Sequence, residues 1–351
     1  MDSQKVPQVL VLYSQTDHLI KGQPHDIVAE QSTVLCAHAV AQALDSAGWP
    51  VVAVPITGDV ETALAPYSPA EWVVFNLGEG LSGRLFEEAR IAWALEVMGY
   101  CFTGADAPAL ALTSHKARAK ALFARAGLLT PRWRLFTHPG QVSEHELEDL
   151  SFPVIVKPVA ENGSLGIGDD AVAHSIAEVA SRVERLVGLY RQAALVEEFI
   201  GNREVNVAMW GDPPVVLPLS EMIWEAAGAP GERVVSFACK WDADSRVYQN
   251  TSVTCPAQIA PGLKQAITEA AVGAWHAIGA RGYGRVDIRL DQDERPFILE
   301  TNCNPDISAD GGFYRSAREA GYSYTDMVLH IVRIAMEQTN SYDRPGNAMR
   351  P

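Results

Sequence analysis

Residues 283–306 read YGRVDIRLDQDERPFILETNCNPD, and this stretch decides the fold. Polar and apolar residues alternate on both sides of the turn DQDERP, which is the pattern of two β-strands whose side chains point to alternate faces. The alternation puts Arg285 and Asp287 on one face of the first strand, and Glu300 and Asn302 on one face of the second. The stretch therefore predicts a β-hairpin with a strongly polar face.

The polar face of this hairpin is a candidate metal site. If the strands pair with these faces aligned, two carboxylates, one amide oxygen and one guanidinium converge, and such oxygens suit Mg²⁺. The same alternation puts Phe297, Leu299 and Thr301 on the opposite face. A hairpin with a solvated polar face is the alternative, but the Glu300-x-Asn302 pair at the end of an apolar strand favours the metal site.

The composition is that of a soluble chain long enough for two or three domains, with 351 residues, 48% hydrophobic and 20% charged. The net charge of −15 argues against a surface for nucleic acids or anionic membranes, because phosphate backbones require a basic face. The five cysteines are scattered and form no CxxC pair, which is typical of reduced thiols in the cytosol. No apolar run approaches membrane-spanning length, so we expect a cytoplasmic protein without nucleic-acid or membrane partners.

The first part of the chain predicts a parallel α/β sheet. Apolar strands and a helix follow each other with short connections: strand 6–13, helix 28–47, strand 51–56 and strand 72–77. Ligands of such sheets bind at the carboxyl ends of the strands, where the loop GEGLSGRLFEE follows the third strand. The candidates for a substrate pocket there are Glu79, Arg84, Glu87 and Glu88. A solvated loop with a charged first helical turn is the alternative.

The middle of the chain carries two lysines and a glycine loop that are candidates for phosphate binding. Lys116 lies in an alanine-rich helix, and Lys157 ends the strand FPVIVKP just before the loop ENGSLGIG. Such a loop can lay backbone N–H groups over phosphate oxygens, although ordinary turns also use glycine and no Walker pattern occurs. Glu197 and Glu204 bracket a turn at Gly201 that suits adenine and ribose, with a simple hairpin as the alternative.

Taken together, these segments resemble the ATP-grasp superfamily and, within it, the D-alanine–D-alanine ligase group. The resemblance covers roughly residues 70–337, and VFNL, LEVMGYCFTG, ALTSHKARAK, CPA and YGRVDI each resemble that group. The chain has no GxSxG, HExxH or kinase HRD loop. Hydrolases, zinc peptidases and protein kinases therefore lose support.

The resemblance implies that the chain binds ATP and Mg²⁺, with Mn²⁺ as a substitute, in a cleft between two α+β lobes. The implied units are an N-terminal parallel α/β domain (1–110), a central ATP-grasp lobe (111–200), a C-terminal lobe with the metal site (201–340) and a flexible tail (341–351). The implied contacts with ATP come from Lys116, Lys157, Gly163, Ser164, Gly166, Glu197, Glu198, Ile200, Glu204 and Lys240. The implied metal ligands are Asp287, Glu300 and Asn302, and the implied catalytic residues are Arg285, Lys240 and Ser164.

The two regions of the implied cleft that would bind the amino-acid substrates differ from the D-alanine ligase pattern. The loop after the first strand lacks the GGxSxE-type acid, for which Glu30 is a candidate replacement. Gly311 stands where those ligases place a serine. The residues that we predict as substrate contacts are Glu79, Arg84, Glu87, Trp241, Gly311 and Arg315.

We therefore expect an ATP-dependent ligase that joins a carboxylate to an amine through an acyl phosphate, acting on amino acids in specialised metabolism. A divergent D-alanine–D-alanine ligase of cell-wall synthesis is the alternative within this class. A small-molecule kinase on the same scaffold and a nucleotide-binding module without catalysis are alternatives outside it. The intact set of charged residues argues against the binding module. The sequence leaves open the identity and chirality of the substrates, and whether the protein is a homodimer.

Overall fold

The structure, a computed structural model, describes residues 6–16, 18–80, 85–201, 203–225 and 233–342, with the side chains of residues 30 and 339–342 outside the description. The strands are β1 Gln8–Ser14, β2 Val51–Ile56, β3 Trp72–Leu77, β4 Cys101–Phe102, β5 Trp133–Phe136, β6 Val154–Pro158, β7 Val172–Ala173, β8 Ala194–Glu198, β9 Arg203–Trp210, β10 Val215–Val216, β11 Ser220–Trp224, β12 Thr251–Thr254, β13 Tyr283–Leu290 and β14 Pro296–Asn302. The helices are α1 Ile27–Ser46, α2 Val60–Leu64, α3 Glu87–Met98, α4 Ala107–Thr113, α5 Lys116–Arg125, α6 Glu144–Leu147, α7 Ile176–Tyr190, α8 Phe237–Trp241, α9 Arg246–Gln249, α10 Pro261–Ile278, α11 Gly312–Glu319 and α12 Tyr324–Tyr342.

The N-terminal sheet is parallel, as the sequence predicts. Its four strands lie in the order β2-β1-β3-β4, with β1 paired in parallel to both β2 and β3. The carboxyl ends of β1 and β3 are joined through Ser14, whose Oγ donates to the Glu79 carbonyl at 2.9 Å and accepts from the Glu79 N–H at 2.8 Å. These two hydrogen bonds fix the start of the loop that the sequence assigns to a substrate pocket.

Two antiparallel sheets follow the N-terminal sheet. One has the order β5-β8-β6-β7, and the other has the path β12-β11-β9-β13-β14, with β10 paired to β9. In the second sheet β13 lies between β9 and β14, and β14 lies at the edge, so the predicted hairpin is built into a larger sheet. The architecture is therefore a parallel α/β unit followed by two antiparallel sheets.

The register of the hairpin confirms the predicted polar face but not the full alternation. Arg285 pairs with Asn302 and Asp287 pairs with Glu300, yet Ile288 pairs with Ile298, so that Leu299 has no partner on β13. This β-bulge interrupts the period of two, because one extra residue shifts the following side chain to the other face. The predicted position of Leu299 opposite the polar face is wrong, since Leu299 lines the same cavity as the polar residues.

The hydrophobic core joins the first and last parts of the chain. One cluster combines the N-terminal sheet with β9, β13 and α10 through residues such as Leu12, Val74, Trp275 and Ile288. A second cluster packs α12 against α1 and β3. Helix α12 falls within the predicted C-terminal lobe in sequence but lies on the N-terminal sheet in space. It also continues to Tyr342, past its predicted end near residue 337.

The structure also bears on the membrane prediction. Across the described ranges, no helix is both long enough and apolar enough to cross a membrane.

Candidate active site

A single large cavity of about 1010 Å³ brings the predicted site residues together. It lies between the N-terminal loops, the loop 160–167, strands β8 and β9, and the polar face of β13 and β14. Every predicted site residue that the structure describes lines it, with the exception of Gly166. Arg84 lies outside the described residues, as does the side chain of Glu30.

Glu197 lies between two lysines at one wall of this cavity. Its Oε1 is 2.7 Å from Nζ of Lys157, and its Oε2 is 2.8 Å from Nζ of Lys120. Burial opposes ionisation of the carboxyl group, but the two lysines outweigh it and lower the pKa of Glu197. Burial lowers the pKa of Lys120 to about 8, against the opposing effect of Glu197. Both oxygens of Glu197 are engaged by lysine, and Glu197 lines the cavity, so its contact with adenine or ribose stays a prediction.

The polar face of the hairpin is a chain of charged contacts. Arg285 donates from Nε and NH2 to the two oxygens of Asp287, at 2.7 and 2.9 Å. Asn206 on β9 donates from Nδ2 to Asp287 Oδ1 at 2.7 Å. On the edge strand, Oε2 of Glu300 is 2.8 Å from Nζ of Lys116, and this cation, together with Lys157, holds the pKa of Glu300 well below its usual range despite burial. The carboxylate of Glu300 is therefore ionised.

The donor set on this face fits a divalent cation. Asp287 and Glu300 are cross-strand neighbours, and Asn302 lies two residues further along the same strand and lines the same cavity. Oδ1 of Asn302 accepts one hydrogen bond, from the Asn304 N–H at 3.0 Å, and an amide oxygen has a second lone pair. Carboxylate and amide oxygens are the ligands that Mg²⁺ and Mn²⁺ prefer. Within the described residues there is no cluster of three or more His, Cys, Asp or Glu side chains that could hold a metal.

The glycine loop is held against the cavity from two sides. Ser164 donates from Oγ to the Val235 carbonyl at 2.7 Å, and Trp241 donates from Nε1 to the Gly163 carbonyl at 2.9 Å. On the other side, Asn162 donates from Nδ2 to Glu88 Oε1 at 3.0 Å. These bonds connect the loop to α8 and to α3 of the N-terminal unit, so the loop lies closed over the cavity.

The loop closes by using left-handed backbone conformations. Gly163 and Ser164 have φ angles of +62°, and Gly166 has a φ of +74°. A Cβ atom at Gly166 would lie 2.5 Å from Pro158 Cγ and 3.0 Å from the ring of Tyr190, so this position has no room for a side chain. Gly166 therefore packs behind the loop, whereas Gly163 and Ser164 line the cavity.

A buried arginine organises the end of the cavity predicted to hold adenine. Arg289 donates from Nε to the Ile200 carbonyl at 2.7 Å and from NH2 to the Gly201 carbonyl at 2.9 Å. Its NH1 is 3.2 Å from Oε2 of Glu204, and its guanidinium stacks 4.4 Å from the ring centroid of Phe199. Burial raises the pKa of Glu204, although Arg289 opposes the shift. Arg289 thus fixes the turn that carries Ile200 and Glu204.

The predicted substrate residues that the structure describes line the same cavity. Glu87 is buried at the start of α3, and its Oε2 lies 3.4 Å from NH2 of Arg90. Both Glu87 and Glu79 line the cavity. Gly311 caps α11, and a Cβ there would lie 3.0 Å from Ser308 Oγ. Arg315 lines the cavity and donates from NH2 to the Asp310 carbonyl at 3.1 Å.

Lys240 is the remaining predicted cation of the cavity. Its side chain is open to the cavity, and it forms no ion pair within the described ranges. Desolvation of its ammonium group lowers the pKa of Lys240, and the positive charge of Arg285 lowers it further. An anion in the cavity would offset both effects, because a negative charge favours the protonated form.

Lys120 and Arg289 are among the residues of this site that were not predicted as such. Lys120 lies four residues after Lys116 on α5, and Arg289 continues the alternation of Arg285 and Asp287 on β13. The helical spacing of four and the strand spacing of two are signals that could have found them. Each looks like a solvated charge in the sequence, whereas Lys120 is 0% and Arg289 3% exposed.

Comparison with known proteins shows which family this chain resembles. Residues 122–333 match the family described as D-ala D-ala ligase C-terminus. The uncharacterized protein y4sG of Sinorhizobium fredii is 32% identical over 271 residues, which is 77% of this chain and 76% of the relative. The D-alanine–D-alanine ligase of Desulforudis audaxviator is 30% identical over 303 residues, which is 86% of this chain and 92% of the relative.

Solved structures show the same fold at lower identity. The D-alanine–D-alanine ligase from Bacillus anthracis complexed with ATP has a TM-score of 0.75 and 17% identity, and the match covers 96% of this chain and 99% of that one. The VanG D-Ala:D-Ser ligase from Enterococcus faecalis has a TM-score of 0.70 and 20% identity, over 94% of this chain and 99% of that one.

The fold and the charged cavity define an ATP-grasp enzyme, a ligase that forms carbon–nitrogen bonds with ATP. Within that class the chain belongs to the D-alanine–D-alanine ligase family. These findings confirm the predicted family, fold class and type of enzyme. The roles of individual residues and the predicted domain bounds stay predictions.

Proposed function

We propose that the protein joins a carboxylate to an amine through an acyl phosphate, with amino acids as its substrates. The observation that carries this proposal is the wall of the cavity. Four cationic side chains, those of Lys116, Lys157, Lys240 and Arg285, line the same space as the carboxylates of the β13–β14 hairpin. Phosphoryl transfer needs positive charge around the transferred group and little covalent help from the protein, and this arrangement supplies that charge.

The residues of the cavity divide this work between them. Lys157 and Lys116 are buried and oriented by Glu197 and Glu300, so their ammonium groups are preorganised for phosphate oxygens. Arg285 is fixed by its two hydrogen bonds to Asp287, and its charge is suited to the oxyanion that forms when an amine attacks the acyl phosphate. Lys240 remains without an ion pair in the described part of the chain and is the cation free to follow the transferred group.

Asp287, Glu300 and Asn302 would hold the divalent cation. When bound, such a cation neutralises charge on the phosphates. The closed glycine loop, held by Ser164, Asn162 and Trp241, would keep water from an acyl phosphate, which water otherwise hydrolyses.

We propose that the preferred substrates are not two molecules of D-alanine. An amino acid brings an ammonium and a carboxylate, and each needs a partner once the cleft is closed. Gly311 offers no hydroxyl, and the close contact of a Cβ there with Ser308 disfavours a serine. Arg315 on the next turn of α11 can replace that hydroxyl as a partner for a carboxylate.

A D-alanine–D-alanine ligase is the second candidate. It is favoured by the names of the relatives, since the relatives from Desulforudis audaxviator and Nitrosomonas europaea are both D-alanine–D-alanine ligases. The two candidates share the chemistry described above and differ only in the side chains that meet the amino acids.

One experiment separates them. Purified protein is incubated with ATP, Mg²⁺ and pooled L- and D-amino acids, ADP release is recorded, and product masses are determined. The first candidate predicts an amide other than D-alanyl-D-alanine with the highest kcat/KM. If D-alanyl-D-alanine forms with kcat/KM equal to or above that of every other pair, the second candidate is correct.

A further inference from the structure

Lys120 is a buried cation to which nothing so far gives a role. Lys157 and Glu197 line the cavity, whereas Lys120 lies behind them with no exposed surface and is absent from the described lining. Its Nζ is 2.8 Å from Glu197 Oε2 and donates to Thr130 Oγ1 at 3.0 Å. Thr130 in turn donates from Oγ1 to the Ile298 carbonyl of β14 at 2.8 Å. Lys120 therefore cannot touch a ligand in the cavity.

The charges of this cluster explain why a buried cation would be kept there. Glu197 and Lys157 alone would form a balanced pair, and the carboxylate would cancel much of the field that Lys157 directs into the cavity. Adding Lys120 on the other carboxylate oxygen leaves the cluster with one net positive charge. Burial of a further ion is costly, so its presence needs a benefit beyond the pair itself.

We propose that Lys120 is a positioning residue that neutralises Glu197, so that the charge of Lys157 stays available to a phosphate in the cavity. The inference rests on the proposed binding of ATP next to Lys157. The competing explanation is that Lys120 only ties α5 to β8 and, through Thr130, to β14. The two explanations differ in which ligands a variant would lose.

The test compares ATP with adenosine, which has the base and ribose but no phosphate. Dissociation constants for both are measured by calorimetry on the full chain, in Mg²⁺, for Lys120→Met, Lys120→Gln and Lys120→Arg. Arg125→Met is the matched control, because it removes a positive charge from the exposed end of the same helix. Thermal melting checks that each variant is folded.

We expect Lys120→Met to weaken ATP binding about 10- to 100-fold, the effect of one charge at an effective dielectric constant near 20. Adenosine affinity should stay unchanged. Lys120→Arg keeps the charge and should bind ATP within about threefold of the wild type, whereas the neutral Lys120→Gln should lose ATP affinity as Lys120→Met does. Arg125→Met should resemble the wild type for both ligands.

Three results would overturn the inference. Unchanged ATP affinity in Lys120→Met would show that the charge is irrelevant, and equal losses for ATP and adenosine would show a structural role only. If Lys120→Met does not fold, Lys120→Gln decides, and an unchanged ATP affinity in that variant would be contrary to the proposal.

The outcome is separable from that of the proposed function. A wild type that binds ATP but makes no amide, with the expected response in Lys120→Met, supports the inference and contradicts the proposed function. A wild type that makes an amide, with no response in Lys120→Met, does the reverse. A wild type that binds no ATP contradicts both.

Discussion

Replacing Glu300 by Gln should stop catalysis and should weaken the fold only modestly. Oε2 of Glu300 is 2.8 Å from Nζ of Lys116, and hydrogen bonds between charged groups contribute about 1.5–3 kcal/mol. Gln keeps the size and one acceptor oxygen, so we expect the free energy of unfolding to fall by no more than about 1.5–3 kcal/mol at pH 7. Turnover should be abolished, because the amide removes a negative charge from the proposed metal site.

The pH dependence of this loss follows from the pKa of Glu300, which is depressed in the folded protein. A carboxyl group of this kind contributes its full stability above its ordinary pKa of 4.5, and the contribution declines as the pH falls towards the folded value. The difference in stability between wild type and Glu300→Gln should therefore be largest near pH 7 and should shrink below about pH 4.5.

The assays are urea unfolding at pH 7 and pH 4, and ADP formation over a range of Mg²⁺ concentrations. The matched control is Glu294→Gln in the turn of the same hairpin, where the carboxylate is 60% exposed and pairs with Arg203 at 2.9 Å. An exposed pair of this kind is worth about 0–1 kcal/mol, so the control should keep both stability and turnover. A Glu300→Gln enzyme with wild-type activity at limiting Mg²⁺ would refute the role given to Glu300.

Three further variants test other parts of the site. Lys157→Ala should weaken ATP binding by about 1.5–3 kcal/mol in calorimetry, and unchanged affinity would make Lys157 a purely structural cation. Gly201→Ala should destabilise the protein by about 3 kcal/mol or more in urea unfolding. The reason is that Gly201 has a φ angle of +44° and that a Cβ atom there would lie 1.7 Å from the Leu290 carbonyl oxygen. Near-wild-type stability would contradict this prediction. Burial raises the pKa of Glu88 from 4.5 to about 7, so the folded state binds the proton of this carboxyl group more tightly than the unfolded state does. The stability of the wild type should therefore fall relative to that of Glu88→Gln as the pH rises from 4.5 to 7. A stability difference that does not change with pH would show that Glu88 titrates normally.

Local pattern was sufficient to predict the hairpin and its polar face. Alternation alone put Arg285 on the face of Asp287 and Glu300 on the face of Asn302. The register then pairs these faces across the strands, Arg285 with Asn302 and Asp287 with Glu300. It could not predict the bulge at Leu299, because an extra residue in one strand becomes visible only when the partner strand is paired with it.

Burial of charged residues was the part that the sequence could not reveal. Lys120 in an alanine-rich helix has the pattern of a solvated lysine, and its burial depends on Glu197, which β8 brings into contact from a distant part of the chain. The same holds for Arg289, whose partners Ile200 and Gly201 belong to the turn before β9. Long-range packing decides these contacts, as it decides the return of α12 to the N-terminal sheet.

The central claim is that a carboxylate is activated as an acyl phosphate before the amine attacks. It is tested most directly with a carboxylate substrate labelled with ¹⁸O in both oxygens, once the substrate screen has identified the pair. The account predicts that one labelled oxygen moves to inorganic phosphate for each amide formed, since the carboxylate oxygen attacks the phosphoryl group and leaves with it. Amide formation with unlabelled phosphate would contradict the claim, as would a stable phosphorylated product formed without any need for the amine.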